Sequence, residues 1–289
     1  MSTVNVYVKR SDGRLFYFND DDWGIPSDGL SGIDNAGFEV FTEKRGFGDG
    51  DIVTGIRATS REVEITARTR SLSNLESLRY KAINFFNHTY TYKLYFVYMG
   101  QTRWISARLN AFSCPSENVN RPFELKAQFL CPDAYLQGTE SYTEEYSDEV
   151  DDFFFPLVLL DDGNDLVSHY SGVTTKPIYY AGTSATPLTI TVLFASANNG
   201  LIVNVYNAKG EHASITIDYT FTSGDYLVIT PKEIVLNGSV LSPQYYINDI
   251  NDLQLLYLYF GDNSINLEDQ DGNQYFSAQY SWSARYMGM

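Results

Sequence analysis

The stretch Ser73-Asn74-Leu75-Glu76-Ser77-Leu78-Arg79-Tyr80-Lys81-Ala82-Ile83-Asn84-Phe85-Phe86-Asn87, with Tyr90-Thr91-Tyr92-Lys93-Leu94-Tyr95-Phe96-Val97-Tyr98 behind it, decides the fold. Ser73-x-x-Glu76 reads as a capping box, in which serine and glutamate satisfy each other's orphan helix donors. Leu75, Leu78, Ala82 and Phe85 recur at 3-4-3 spacing and share one helix face, with Asn87 as a stop. The period then changes to strand type. Met99-Gly100-Gln101-Thr102 supplies a turn, Arg103 to Phe112 returns as a second strand, and Phe123 to Cys131 forms a third. One helix leading into a three-stranded meander has an apolar face to place on that sheet.

Working outward, the rest of the chain is β-rich. Aromatics are 15% of the 289 residues, with 23 Tyr and 18 Phe, and side chains of that kind favour strands over helices. Helical periodicity occurs once, over about residues 72–87. The fold class expected is mainly β: two β-sandwich-type domains, the N-terminal one carrying that helix and a β-hairpin. The expected division is 1–136, a ring-forming domain in the reading below; 137–173, an acidic linker and docking segment; and 174–289, a second sandwich.

Charge supports the division. The net charge is -16, yet residues 1–136 hold 16 Lys+Arg and 16 Asp+Glu, so all of the excess falls in 137–289. That half repels phosphate backbones, which argues against nucleic-acid binding there. It suits either a solvated outer module or simple solubility. Gly138 to Asp152 carries seven acidic residues and no basic one and reads as a self-repelling linker, with calcium capture as the lesser alternative. The greasy run Phe153-Phe154-Phe155-Pro156-Leu157-Val158-Leu159-Leu160 is expected to dock on one domain. No signal peptide and no membrane span is visible, so assembly in a reducing cytoplasm is expected. In a simple hairpin register Cys114 falls opposite about Phe123, not Cys131, which disfavours a disulfide.

At the front, Val4, Val6 and Val8 alternate with polar partners as a half-buried strand, Ser11-Asp12-Gly13-Arg14 turns, and Leu15 to Phe18 returns. Asp20-Asp21-Asp22-Trp23 is read as a solvated loop with one packing aromatic, in preference to a metal or partner site. Gly46-Phe47-Gly48-Asp49-Gly50 lacks the Lys-Ser/Thr pair of a nucleotide loop and is flanked by strands, so a β-to-β loop is the better reading. Arg57, Arg61, Arg68 and Arg70 line strand-like segments and can pair within the subunit or across an interface.

From Thr174 onward, short strands at regular spacing indicate a second sandwich or barrel. His88, His169 and His212 have no partner at ligand spacing, and no Gly-x-Ser-x-Gly elbow is present. Asp269-Gln270-Asp271-Gly272-Asn273 resembles a calcium-loop fragment but reads better as a hairpin turn. No catalytic residue, cofactor or metal ligand is assigned.

The order of these features resembles the distal tail protein family of long-tailed siphophages. The resemblance rests on a helix with Arg79 near its middle, a returning Arg103-Trp104 strand, and an exit through Phe129-Leu130-Cys131-Pro132-Asp133-Ala134-Tyr135. Gly46-x-Gly48-x-Gly50 followed by Arg57 and Arg61 belongs to it too. The series Gly224-Asp225-x-Leu227-x-Ile229, Leu236-Asn237-Gly238, Gly261-x-Asn263-x-Ile265 and the terminal Trp282-x-x-Arg285-Tyr286 is similar to the galectin-like C-terminal sandwich of many members. The resemblance implies a structural, non-enzymatic protein of the virion, at the distal end of the tail. It implies a hexameric ring, single or as two rings back to back, between the tail tube protein and the tail-tip or tail-associated protein. Its outer domains would carry a receptor-binding protein or other baseplate components. Candidate subunit-interface residues are Arg57, Arg61, Arg79 and Arg103. The alternative is a carbohydrate-binding module for host attachment, with Trp282, Tyr245 and Tyr246 as glycan or adhesin contacts. An ordinary tail-tube subunit is a third reading, disfavoured by the large second domain. No sequence-specific nucleic-acid binding and no membrane insertion is expected.

Overall fold

In the computed structural model, which describes residues 4–70, 74–115, 122–147, 149–151, 168–170, 175–246, 250–270 and 276–289, the apolar face of the helix settles on a sheet. Helix α1 spans Leu75–Phe85, and the four residues it buries are Leu75, Leu78, Ala82 and Phe85. Asn74, in the left-handed conformation at φ 60°, occupies its N-cap without a side-chain cap bond. The expected Ser73 cap is thus replaced by Asn74, and Ser73 itself lies outside the described residues. At the other end the Tyr92 hydroxyl accepts from the Asn87 N–H at 2.7 Å, and Arg10 donates to the carbonyls of Asn84 and Phe85 at 2.8 and 3.0 Å. A cation at a helix C-terminus meets both the orphan acceptors and the dipole.

The strands of the first unit are β1 (Asn5–Arg10), β2 (Leu15–Tyr17), β3 (Trp23–Gly24), β4 (Leu30–Ser31), β5 (Phe38–Lys44), β6 (Asp51–Ala58) and β7 (Arg61–Thr69). After α1 follow β8 (Thr91–Tyr98), β9 (Gln101–Ser113), β10 (Glu124–Cys131) and β11 (Leu136–Ser147). Tyr98 pairs with Gln101 across Met99 and Gly100, both at positive φ, which is the two-residue hairpin turn that matches strand twist. The order is β2-β1-β8-β9, and the other edge of β9 is shared by β10 and β11, with β7 beyond β10. Alternation buries Val6, Val8, Tyr92, Leu94, Phe96, Val63, Ile65 and Ala67 beneath α1, where Phe16, Phe85 and Phe86 meet at ring distances of 5.0–5.3 Å. Both cysteines are free and buried.

The second unit is built mainly on two layers of strands, together with two short strand pairs. Strands β12 (Glu149–Asp151) and β13 (Ser168–Tyr170) pair with each other. Strand β14 (Thr175–Tyr180) is followed by β15 (Thr186–Pro187), β16 (Thr189–Phe194), β17 (Asn198–Tyr206), β18 (His212–Phe221), β19 (Tyr226–Ile229), β20 (Ile234–Leu236) and β21 (Ser239–Val240). A one-turn helix, α2 (Ile250–Leu253), precedes β22 (Tyr257–Leu258), β23 (Gly261–Glu268) and β24 (Phe276–Tyr286). One sheet runs β14-β23-β17-β18, the other contains β24-β16-β19-β20-β21, and β15 pairs with β22. Phe194 of the second stacks on Phe221 of the first at 4.1 Å and 9°, with Ile190, Val192, Val203 and Ile217 fully buried around them: a sandwich.

Two expectations change. The stretch read as an acidic linker is strand through Ser147 and again over Glu149–Asp151, because its Tyr and Thr residues favour extended pairing and Tyr142 stacks on Trp282 at 5.8 Å. The chain divides into Met1–Thr139 with Arg285–Met289, and Glu140–Ala284. The second unit is therefore an insertion, and the last five residues belong to the first. The run Phe153 to Leu160 lies outside the described residues.

Because burial holds the inward face of α1, Leu78→Ala should cost about 2–5 kcal/mol in equilibrium urea unfolding, and Ser77→Ala on its exposed face within about 0.5 kcal/mol.

Candidate assembly surface

Among the described residues, strands β5 and β6 pair only with each other. All seven residues of β5 are exposed, as are Ile52, Val53 and Ile56 of β6 and, wholly, Phe47 in the loop between them. Gly48 and Gly50 take positive φ (104° and 85°), so the glycine-rich stretch closes a hairpin between β5 and β6. At about 3.3 Å per residue the seven residues of β5 reach about 23 Å. Phe38, Val40 and Phe41 are also exposed apolar residues here. A two-stranded ribbon with apolar side chains in water is marginal by itself and is an open pairing edge. Arg57 lies on it, donating to Glu39 at 2.8 Å and standing over the Phe41 ring at 5.4 Å.

The other three arginines singled out from the sequence are occupied inside the first unit. Arg61, 2% exposed, donates to the carbonyls of Ala134 (3.1 Å), Gly32 (3.1 Å), Ile33 (3.2 Å) and Met287. Burial holds its pKa below the usual arginine value. Arg79 donates to the Cys114 carbonyl at 3.0 Å. Arg103 donates to the Gly288 carbonyl and to Gln101 Oε1 at 3.0 Å, and lies 3.8 Å from the Tyr286 ring centre. Their backbone partners are 28 to 226 residues away, a separation that spacing alone does not reveal. Arg57 alone of the four has an exposed side chain, at 66%.

A second surface went unread in the sequence. Register places Tyr17, Tyr7, Tyr95 and Trp104 side by side across β2, β1, β8 and β9. Their rings follow at 5.6, 4.7 and 6.4 Å, and Lys93 Nζ lies 4.2 Å from the Trp104 ring centre. The outward Tyr of each alternating strand was the available signal; only the pairing register lines them up. Asp20 accepts from the N–H groups of Asp22 (3.0 Å) and Trp23 (2.7 Å), and Trp23 is buried, so the acidic triplet builds a turn around a packed aromatic. Beside it, a groove of about 560 Å³ runs between β2 and α1, lined by Leu15, Tyr17, Trp23, Leu78 and Tyr80.

In the second unit the three aromatic candidates differ in how far they are covered. Trp282 is 8% exposed and stacked on Tyr142, Tyr246 is buried, and Tyr245 meets Tyr219 edge-on at 5.1 Å.

Neither a protein-family model nor a curated protein sequence matches the chain. Among solved structures, the SPP1 Dit protein, described as a paradigm of the hub adsorption apparatus in phages infecting Gram-positive bacteria, covers 97% of this chain and 98% of its own. It does so at TM-score 0.63 and 13% identity. Chains of the phage p2 baseplate in its activated conformation, with Sr and with Ca, match at TM-scores of 0.46 and 0.41 and 10% identity. They cover 97% and 98% of this chain and 98% of theirs. The first of these matches establishes a shared fold.

Cys131 gives a pH test of this unit. Burial pushes its thiol from the ordinary 9.0 up to about 12. The unfolded chain ionises first, so the stabilisation is complete below about pH 9 and is lost as pH rises toward about 12. Melting temperature should fall across that window, and Cys131→Ala should flatten part of the slope. Cys114 and Tyr92, also pushed up by burial, retain the remainder.

Proposed function

We propose that the chain is a structural hub of a long-tailed phage tail tip, a member of the distal tail protein family. In this reading the first unit closes a six-membered ring between the tail tube and the tail-tip protein. The second unit presents an outward module for receptor-binding or other baseplate components. The fold shared with the SPP1 Dit protein supports the class, and one observation carries the ring: the self-paired β5–β6 hairpin, whose apolar residues are exposed among the described residues.

The chemistry of assembly is heterologous contact. A ribbon about 23 Å long, offered to a different surface on the next copy, makes a head-to-tail interface that closes when the rotation per copy divides the circle. Apolar burial drives it, at about 25 cal/mol for each Å² removed from water. The exposed Arg57–Glu39 pair contributes registry more than affinity, since such pairs give about 0–1 kcal/mol. The aromatic row Tyr17-Tyr7-Tyr95-Trp104 is a second face for stacking on a neighbouring tail component. A covalent reaction has no part in this. The virion is the location, and the host cytoplasm the place of assembly.

The test is native mass and negative-stain imaging of the purified chain beside Val53→Asp/Ile56→Asp. Both residues are exposed, so the variant should fold with an unchanged melt. The parent should run at about six chains, or twice that for paired rings, with a central hole, and the variant as a monomer. A variant that assembles like the parent would remove the hairpin from the interface. A parent that stays monomeric even with its tail-tube partner added would overturn the hub.

A further inference from the structure

We infer that the first unit contains a peptide-binding site whose ligand is the chain's own segment Tyr286-Met287-Gly288-Met289. The inference is independent of the ring.

Three consecutive residues of this segment are held through their main chain. Arg61 donates to the Met287 carbonyl, Arg103 to the Gly288 carbonyl, and the Met289 N–H donates to the Ile33 carbonyl at 3.1 Å. Two positions are read by side chain as well. The Tyr286 ring lies 3.8 Å from the Arg103 guanidinium. At Gly288 a Cβ would stand 1.7 Å from the Asp34 carbonyl oxygen, and that obstacle is backbone, which cannot swing aside. The ligand class is therefore an extended peptide with an aromatic residue and, two places on, a glycine.

The receptor is built without its ligand. Arg61 has three other acceptors, the carbonyls of Gly32, Ile33 and Ala134. The Gly32 loop is pressed so close to β7 that a Cβ at Gly32 (φ +80°) would lie 1.9 Å from the Glu62 carbonyl oxygen. Arg103 is also held by Gln101. Loop, guanidinium and strand are thus held by contacts besides the segment, and its departure bares Arg61 Nη2, a donor that a peptide carbonyl supplied in trans would satisfy on a preorganised site.

The test uses hydrogen exchange and a synthetic peptide. In the full chain, amides of 286–289 should be protected, and Gly288→Val should speed their exchange about tenfold or more while those of β8 stay unchanged. A chain ended after Arg285 should bind acetyl-Arg-Tyr-Met-Gly-Met saturably in calorimetry and regain melting temperature with it. The same peptide carrying Gly288→Val should not bind. Equal exchange in parent and Gly288→Val overturns the site, as does a folded shortened chain that binds neither peptide or both alike. If the shortened chain does not fold, the exchange comparison in the full chain decides.

Discussion

One of the two buried arginines among the described residues, Arg61, ties together distant parts of the first unit. A guanidinium keeps its charge in any protein interior, so each of its donors needs an acceptor. Arg61 finds carbonyls from three separated places: Gly32 and Ile33 after β4, Ala134 after β10, and Met287 at the end of β24. Asp133 and Asp34 lend favourable charge nearby, while desolvation works against the charged form. Loss of one acceptor would leave a buried charged donor bare, at a cost of about 1–3 kcal/mol or more. The loop that launches the hairpin, the exit toward the second unit and the return from it are all set by this one side chain.

The hairpin is the opposite case. Among the described residues its strands pair with each other alone, and its apolar residues are left in water. In a soluble domain such a ribbon is an aggregation hazard unless another surface covers it. The first unit thus combines an over-determined interior with an under-satisfied projection, the arrangement expected of a subunit completed by its neighbours. In the second unit the sandwich closes around Phe194 and Phe221.

How much could be read from the chain depends on distance along it. Local periodicity names the buried face of α1 residue by residue, and the strands of the meander follow from alternation. The hairpin loop is legible because Gly48 and Gly50 are required at positive φ. Arginine roles are not legible. Arg57 and Arg61 sit four residues apart in similar surroundings, yet one is solvent-exposed and the other buried. The acidic segment misleads for another reason: charge suggests repulsion and extension, while its Tyr and Thr residues pair as strand.

The sequence by itself determines the β class, the one long helix and its inward face, the free cysteines and the uneven charge. Each follows from spacing or composition within a short window. Tertiary structure alone decides that the second unit is an insertion, that residues 285–289 complete the first, and that Trp282 and Tyr246 face inward. It also sets the register that lines up Tyr17, Tyr7, Tyr95 and Trp104. These rest on hydrogen bonds and ring contacts between residues far apart along the chain, which no local pattern encodes.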